Sequence, residues 1–399
     1  MENIENKEYI IKLPQHTNFE IRIFAEFLKT LSKIFKNIPF AMSLNMINKR
    51  IFYTVKVPSK FSSVMENQLY AVFPKIELEE IQRTFDPQNA EVAAQAELLL
   101  RYGDHYPILT FEAMEASFLS DIFNQFNRLT AQEKFFMQIK VKPQDPDKAI
   151  FTMKRGVKLA TKNFTQRFNV IESVFSKKAS PEIRSRGYAA ATEKNRQPLY
   201  STEIDIMLFS ESYELAAAKL EPIAQVFQKL ESEYNEFRYR VKRVTAADLE
   251  RITSLEFPPN AYHLTAEEVS SMYHFPPDSD SVPNLYKILS PKAEPPLGLP
   301  TVDNTPSDEL TPFAETNYRN IREKFGIKRR DRARHMYVIG KSGSGKSKML
   351  ELMIKNDIEF GHGICVIDPH GDLIENIVPY IPENRIKDVI FFNPVDEEY

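Results

Sequence analysis

Apolar positions in the first part of the chain recur with two periods, two residues and about 3.6, and each switch between them marks a new element. Tyr9, Ile11 and Leu13 share one face of a strand over 8–13. Phe24, Phe27, Leu28, Leu31, Ile34 and Phe35 fall on one side of a helix. Phe40, Met42, Leu44 and Met46 then alternate, Asn48 and Lys49 supply a turn, and Ile51, Tyr53, Val55 and Val57 form the returning strand of a hairpin. A second helix carrying Phe61, Val64, Leu69 and Val72 leads into a strand at Ile76, Leu78 and Ile81.

The order over residues 1–85 is β-α-β-β-α-β, the ferredoxin-like arrangement. A similar order recurs over 104–250. It comprises a strand from Tyr106 to Phe111, a helix marked by Met114, Phe118, Ile122, Phe126 and Leu129, and the strand FFMQIKVKP. The strand EIDIMLF follows from about Thr202, then a helix with Leu220, Ile223, Phe227 and Leu230, then FRYRVKRV from Phe237. Between the halves of this second repeat sits a long insertion, about 146–199, in the place of the middle hairpin turn and predicted to be helical. Residues 251–312 are rich in proline, which removes backbone donors, and read as an extended connector. One short helix interrupts it at about 265–273, opened by the capping box of Thr265 and Glu268.

Chain length changes this picture little: 399 residues allow two to four domains. A composition of 42% hydrophobic and 27% charged residues is that of an ordinary globular protein, and a net charge of −3 gives no global basic signature for nucleic acid. Any basic surface must be local. The densest basic stretch is 151–200, with eleven Lys and Arg against three Asp and Glu and with Phe151, Phe164, Phe168 and Phe175 interleaved. It fits a contact to a phosphate backbone with stacking on bases, and fits better a solvated helical hairpin whose phenylalanines pack on one another. Cys365, the single cysteine, excludes an intramolecular disulfide, and its neighbours Ile364 and Val366 predict a buried thiol in a reducing cytosol. The N-terminus lacks the features of a secretion signal, and no stretch has the apolar length of a membrane helix.

Chemistry concentrates near the end of the chain. A short apolar strand, Met336 to Ile339, runs into Gly340-Lys341-Ser342-Gly343-Ser344-Gly345-Lys346-Ser347, and a helix begins at Lys348. The spacing G-x-x-x-x-G-K-S between a strand and a helix is that of a phosphate-binding loop. Its glycines let successive amides turn inward, where they and the helix N-terminus surround a phosphate. Lys346 supplies a positive charge for the β- and γ-phosphates of ATP, and the Ser347 hydroxyl is a ligand for Mg²⁺. Those two side chains are the catalytic candidates, and residues 340–347 are the nucleotide-binding set. Next come two more expected strands, in GICVIDPHGD (363–372) and DVIFF (388–392), giving α/β order. Asp368 ends the first of these, where open α/β sheets bind ligands. It is a candidate to line the site, or else a turn aspartate beside Pro369. His370 and Asp372 are weaker candidates, because DPHGD is also what a tight turn looks like. The run KRRDRARH, 328–335, could face nucleic acid, the nucleotide or an adjoining subunit, or could simply be solvated.

The runs FGIKRRDRARHMYVIGKSGSGKS, GICVIDPHGDLIENIVPYIP and RIKDVIFFNPVD together resemble the FtsK/HerA class of P-loop ATPases. Within it they resemble type IV secretion coupling ATPases with a TraD-like, DNA-binding motor domain. LTAEEVSSMYHFP, 264–276, is also similar to bacterial members of that group. The resemblance covers about 317–399 and implies a RecA-like domain, here 313–399, in an ATPase that forms a ring, as a hexamer, and moves DNA or a nucleoprotein. It implies a cytoplasmic protein held peripherally at the membrane through secretion-channel partners. Gly340, Gly343, Gly345, Lys346 and Ser347 match the family's Walker A positions, and Asp368 to Asp372 its second-strand motif. The Walker B acidic pair and the arginine finger find no counterpart. A chain stopping inside the motor domain is therefore expected to be a truncated form that hydrolyses ATP poorly or not at all.

Three functions remain open on the sequence: a DNA translocase, a P-loop ATPase that energises protein secretion or assembly without DNA, and a noncatalytic binding module. All three place the fold in a mixed class, α+β for the accessory repeats and α/β for the ATPase segment.

Overall fold

The computed structural model describes residues 5–16, 18–82, 93–115, 117–144, 181–257, 261–278, 281–288, 292–319 and 321–393. The protein is a mixed α/β chain of two units, Met1–Pro291 and Lys292–Tyr399.

The alternating segments of the first unit become strands of one antiparallel sheet. Its first six main elements are β1 (Asn6–Lys12), α1 (Ile21–Ile34), β2 (Phe40–Ile47), β3 (Arg50–Pro58), α2 (Ser62–Val72) and β4 (Glu77–Ile81). Asn48 and Lys49 both have positive φ, +51° and +63°. That backbone twist matches a two-residue turn to its flanking strands and fixes the β2–β3 register, Leu44 facing Tyr53. A second series follows: β5 (Ala93–Leu100), α3 (Phe118–Phe126), β6 (Lys134–Pro143), α4 (Pro181–Lys194), β7 (Leu199–Phe209), α5 (Tyr213–Val226) and β8 (Phe237–Arg243). The strand order is β4-β1-β3-β2-β6-β7-β5-β8, so the second four strands repeat the order of the first four in reverse about the β2–β6 junction.

One face of the sheet is apolar and buried under α1, α2, α3 and α5. Tyr9, Leu28, Phe40, Leu44, Tyr53, Met137, Ile206 and Leu220 all lie in a single continuous core. The other face is more polar, and its centre is closed as well. Ser43, Asn45, Thr54, Gln138, Lys140 and Asp205 are each at most 2% exposed. Part of it is covered by α6 (Ala246–Thr253), whose Leu249 and Ile252 pack on Phe136, Met207 and Phe209. Lys140 pairs with Glu203 at 2.5 Å and donates to the carbonyls of Arg251 and Glu256. Arg251 reaches Asp205 at 3.1 Å.

The strand expected at Tyr106 to Phe111 does not form; its place in the sheet is taken by β5, from Ala93. Pro107 has no amide to give a ladder. The amides of Ile108, Leu109 and Phe111 are satisfied instead by the Glu268 carboxylate, the Leu230 carbonyl and the Ser271 hydroxyl. Of the insertion between β6 and β7, residues 145–180 lie outside the described residues, and with them most of the basic run. The proline-rich region does not begin as a free connector. β9 (Tyr262–Thr265) pairs with β7, α7 (Ala266–Met272) packs on α1, and the Tyr286 amide donates to the Ile51 carbonyl at 2.7 Å.

In the second unit β10 (Leu310–Glu315) pairs antiparallel with β11 (Lys324–Lys328), and α8 (Lys346–Glu359) packs against β10. A short α9 (Asp372–Ile377) follows. The three strands expected at 336–339, within 363–372 and at 388–392 are not strands here, and β10–β11 is the sheet of this unit among the described residues. An apolar run only permits a strand; a ladder needs a neighbour, and among the described residues these segments have none. Tyr337, Ile367 and Ile390 are 87%, 89% and 94% exposed as a result. Cys365 is exposed for the same reason, which corrects the buried thiol expected from its neighbours. No helix among the described residues is long and apolar enough to cross a membrane.

Candidate functional site

The loop of residues 340–345 is shaped by its glycines. Gly343 and Gly345 have φ of +77° and +91°, the left-handed region that costs a residue with a Cβ roughly 1–2 kcal/mol. Gly345 is the N-cap of α8, and the first helical bond runs from the Met349 amide to its carbonyl at 3.0 Å. The amides at the start of α8, from Lys346 and Ser347 onward, therefore have no acceptor within the helix and are left to face an anion. Between the glycines the Ser344 amide closes a turn on the Lys341 carbonyl at 3.2 Å. Gly340 is close to the returning loop, since a Cβ there would meet the Ser344 Oγ at 2.4 Å.

Lys346 folds back across this loop. Its Nζ donates to the carbonyls of Gly340 at 2.8 Å and Lys341 at 2.9 Å, which ties the ammonium to the loop. Lys341, Ser342, Ser344 and Ser347 are exposed. A concave backbone with free amides, a held cation and an adjacent hydroxyl is a donor set that fits a triphosphate, with Ser347 beside it as an oxygen ligand for Mg²⁺.

Asp368 is engaged with its own chain. Its Oδ1 accepts from the His370 amide at 3.1 Å and its Oδ2 from the Leu373 amide at 2.9 Å. These backbone donors hold its carboxyl below the usual aspartate range. The turn brings Gly371 to φ +88° and starts α9 at Asp372. His370 is exposed on that turn.

The basic run 328–335 splits in two. Arg329 and Arg332 turn inward to the buried Asp357 of α8, at 3.0 Å and 2.6 Å from the same Oδ1. Arg329 also lies over the Phe360 ring, 4.9 Å from its centroid. Arg330, Arg334 and His335 remain exposed. The end of α8 is finished by the amide of Gly361 on Ile358 O and that of His362 on Asp357 O, the paired bonds of a Schellman turn, with Gly361 at φ +76°. Arg385 adds donors to Ile358 O and His362 O, placing a cation at the negative end of the helix that carries the loop. Neither Asp357 nor Arg385 was singled out by the sequence. One signal was available for Asp357: an acid in the last turn of a helix opposes the dipole and calls for cationic partners.

Residues 322–375 match the family described as "Helicase HerA, central domain". The matched span holds the basic run, the whole loop, α8 and the Asp368 turn, and it supports an ATPase of the FtsK/HerA type with a P-loop. A search of curated proteins finds no matching relative.

Proposed function

We propose that this chain carries the nucleotide-binding segment of an ATP-driven DNA translocase, similar to the type IV secretion coupling ATPases. The observation that carries the reading is the loop itself. Two glycines in left-handed conformation lead into the free end of α8, and Lys346 is poised over the loop carbonyls. ATP would supply the anion for which this cradle is built. Lys346 would exchange its carbonyl partners for β- and γ-phosphate oxygens, gaining a charge-assisted contact. Ser347 would orient Mg²⁺, and Asp368, at the head of α9, would border the site. The exposed Arg330 and Arg334 would contribute cationic contacts to DNA.

In the same reading the segment 313–399 belongs to a RecA-like domain acting in a ring, as a hexamer, at the inner face of a membrane and beside secretion-channel partners. The two halves of the large sheet are ferredoxin-like accessory modules, supported by their β-α-β-β-α-β order and by strand orders that mirror one another.

Calorimetry with Mg·ATP on the wild-type chain and on Lys346→Ala tests the site: binding by the first and at least tenfold weaker binding by the second is expected. A well-folded wild-type chain with no nucleotide affinity would sink the proposal. ATP turnover with and without DNA, on protein that contains the rest of the motor domain, tests the cargo. Turnover that DNA leaves unchanged would move the assignment to an ATPase acting on protein.

A further inference from the structure

The two outermost strands of the large sheet differ in charge. β4 reads Glu77-Leu78-Glu79-Glu80-Ile81, with three acids and no base. β8 reads Phe237-Arg238-Tyr239-Arg240-Val241-Lys242-Arg243, with four bases and no acid. Each pairs on one side alone, β4 with β1 and β8 with β5, and among the described residues neither has a second strand partner. We infer that these edges are complementary docking strands, through which one copy of the chain adds head to tail to the next. This rests on the sheet and is independent of the nucleotide reading.

Geometry supports the pairing in two ways. Every neighbouring pair along the path is antiparallel and the path holds eight strands, so β4 and β8 run in opposite directions. A second copy placed with the same face and the same sense therefore brings its β4 antiparallel to β8 of the first, and the ladder continues where the Leu78 amide exchanges its bond to the Tyr70 hydroxyl, 3.2 Å away, for a carbonyl of β8. The side-chain faces also agree. Glu79 stands opposite Ile10 and Glu77 opposite Lys12, on the polar face of the sheet. Arg240 stands opposite Glu97 and Lys242 opposite Gln95, on that same face, and Arg238 joins them. The two antiparallel registers that set Leu78 across from Tyr239 or Val241 on the helix side both set Glu77 and Glu79 across from bases.

Charge alone could be protection against aggregation, which edge strands need. Protection, however, does not require one sign along a whole edge and the opposite sign along the other. Two β4 edges repel, as do two β8 edges, and only the mixed junction is attractive. The charges are partly shared within the copy, Lys12 with Glu79 at 2.7 Å and Arg240 with Glu97 at 2.6 Å. Glu79 and Arg240 are nevertheless 48% and 68% exposed, and such surface pairs hold their members weakly. A junction between unlike patches is heterologous, so it builds a ring if the rotation closes and a filament if it does not.

Sedimentation velocity of the full chain against concentration is the test, at low and high salt. Concentration-dependent association that salt weakens is expected of the wild type. Arg238→Glu/Arg240→Glu, which cancels the positive charge of β8, and Glu77→Lys/Glu79→Lys, which turns β4 net positive, should each associate at least tenfold more weakly. Mixing the two should restore association. A second reading guards against misfolded variants. In a Cys365→Ser background, Glu79→Cys mixed with Arg238→Cys or Arg240→Cys should form a disulfide-linked dimer under mild oxidant, and neither variant alone should. A wild type that stays monomeric, variants that associate as the wild type does, or reversal of β8 that lowers nucleic-acid binding while leaving association intact would each overturn the inference.

Discussion

The Nζ of Lys194 lies 3.0 Å from the Oε2 of Glu268, and both side chains are closed to solvent. One carboxylate thereby serves three segments. It accepts from the Thr265 amide at 2.8 Å to complete the capping box of α7, takes the Ile108 amide at 2.9 Å, and balances the lysine that ends α4. Lys194 in turn donates to the Tyr106 carbonyl. Removing one charge strands the other in a medium that cannot solvate it. Lys194→Met is expected to cost about 3–5 kcal/mol in urea unfolding. Adding Glu268→Gln to it should recover part of that loss, because the amide carbonyl still accepts from one backbone amide. No recovery in the double variant would show that the cost was packing and not charge.

In the loop, conformation and space act separately. A Cβ at Gly343 or Gly345 meets nothing within 4 Å, but φ is positive at both. Gly345→Ala should therefore lower ATP affinity about tenfold through the roughly 1–2 kcal/mol of backbone strain, without a clash. At Gly340 the obstacle is the Ser344 hydroxyl, 2.4 Å from the added Cβ, a group that rotates away. Gly340→Ala should be milder, and Ser344→Ala beside it should restore affinity in the same calorimetric assay. Equal losses at both glycines would refute this division.

How far the sequence announced these features depends on what each one needs. Alternation at Phe40 to Met46 and at Ile51 to Val57 marked a hairpin because the pattern and its Asn48-Lys49 turn are local. β5 escaped because Ala93, Ala94 and Ala96 carry little β-propensity, and its partners β7 and β8 lie over a hundred residues away. Polar alternation in β6 and β7 implies one wet face, yet Lys140 and Asp205 are buried there, Lys140 donating to the Arg251 carbonyl and Asp205 bonded to the Arg251 side chain, a residue of α6 that no spacing rule connects to them. The loop at 340–347 was the most legible part, since one contiguous stretch of backbone makes it. The expected strands around it failed because a ladder is a relation between segments and not a property of one.

Acid should weaken the first unit in part through His274. This side chain is 1% exposed; its Nδ1 donates to the Ser270 carbonyl at 2.8 Å, and Ser117 stands 3.3 Å from Nε2. Burial pushes its pKa from 6.5 down to about 4. The sign follows from proton uptake. Above pH 6.5 neither state is protonated and nothing is lost, while from 6.5 down to about 4 the unfolded chain binds a proton that the folded one refuses. Stability attributable to this group should fall by about 2 kcal/mol between pH 7.5 and pH 5. His274→Gln should remove that part of the slope in urea titrations at the two pH values. An unchanged slope would assign the acid sensitivity elsewhere.

The basic run makes the sharpest division between structure and function. Arg329 and Arg332 share the Oδ1 of Asp357, which is only 2% exposed, so their charges are spent inside the unit. Arg330 and Arg334 point to solvent. Arg332→Ala should lower the unfolding free energy by about 1–3 kcal/mol, the cost of a weakened charge-assisted bond to a buried acid, with little effect on DNA affinity beyond that of instability. Arg330→Ala/Arg334→Ala should leave the melting curve in place and weaken DNA binding. Because each phosphate contact releases about one counterion, the slope of log affinity against log salt should become shallower by roughly two when both are removed. Fluorescence anisotropy across a salt series reads that slope directly. If removing the outward pair leaves it unchanged, the run serves the fold alone and the DNA contact must lie on another surface.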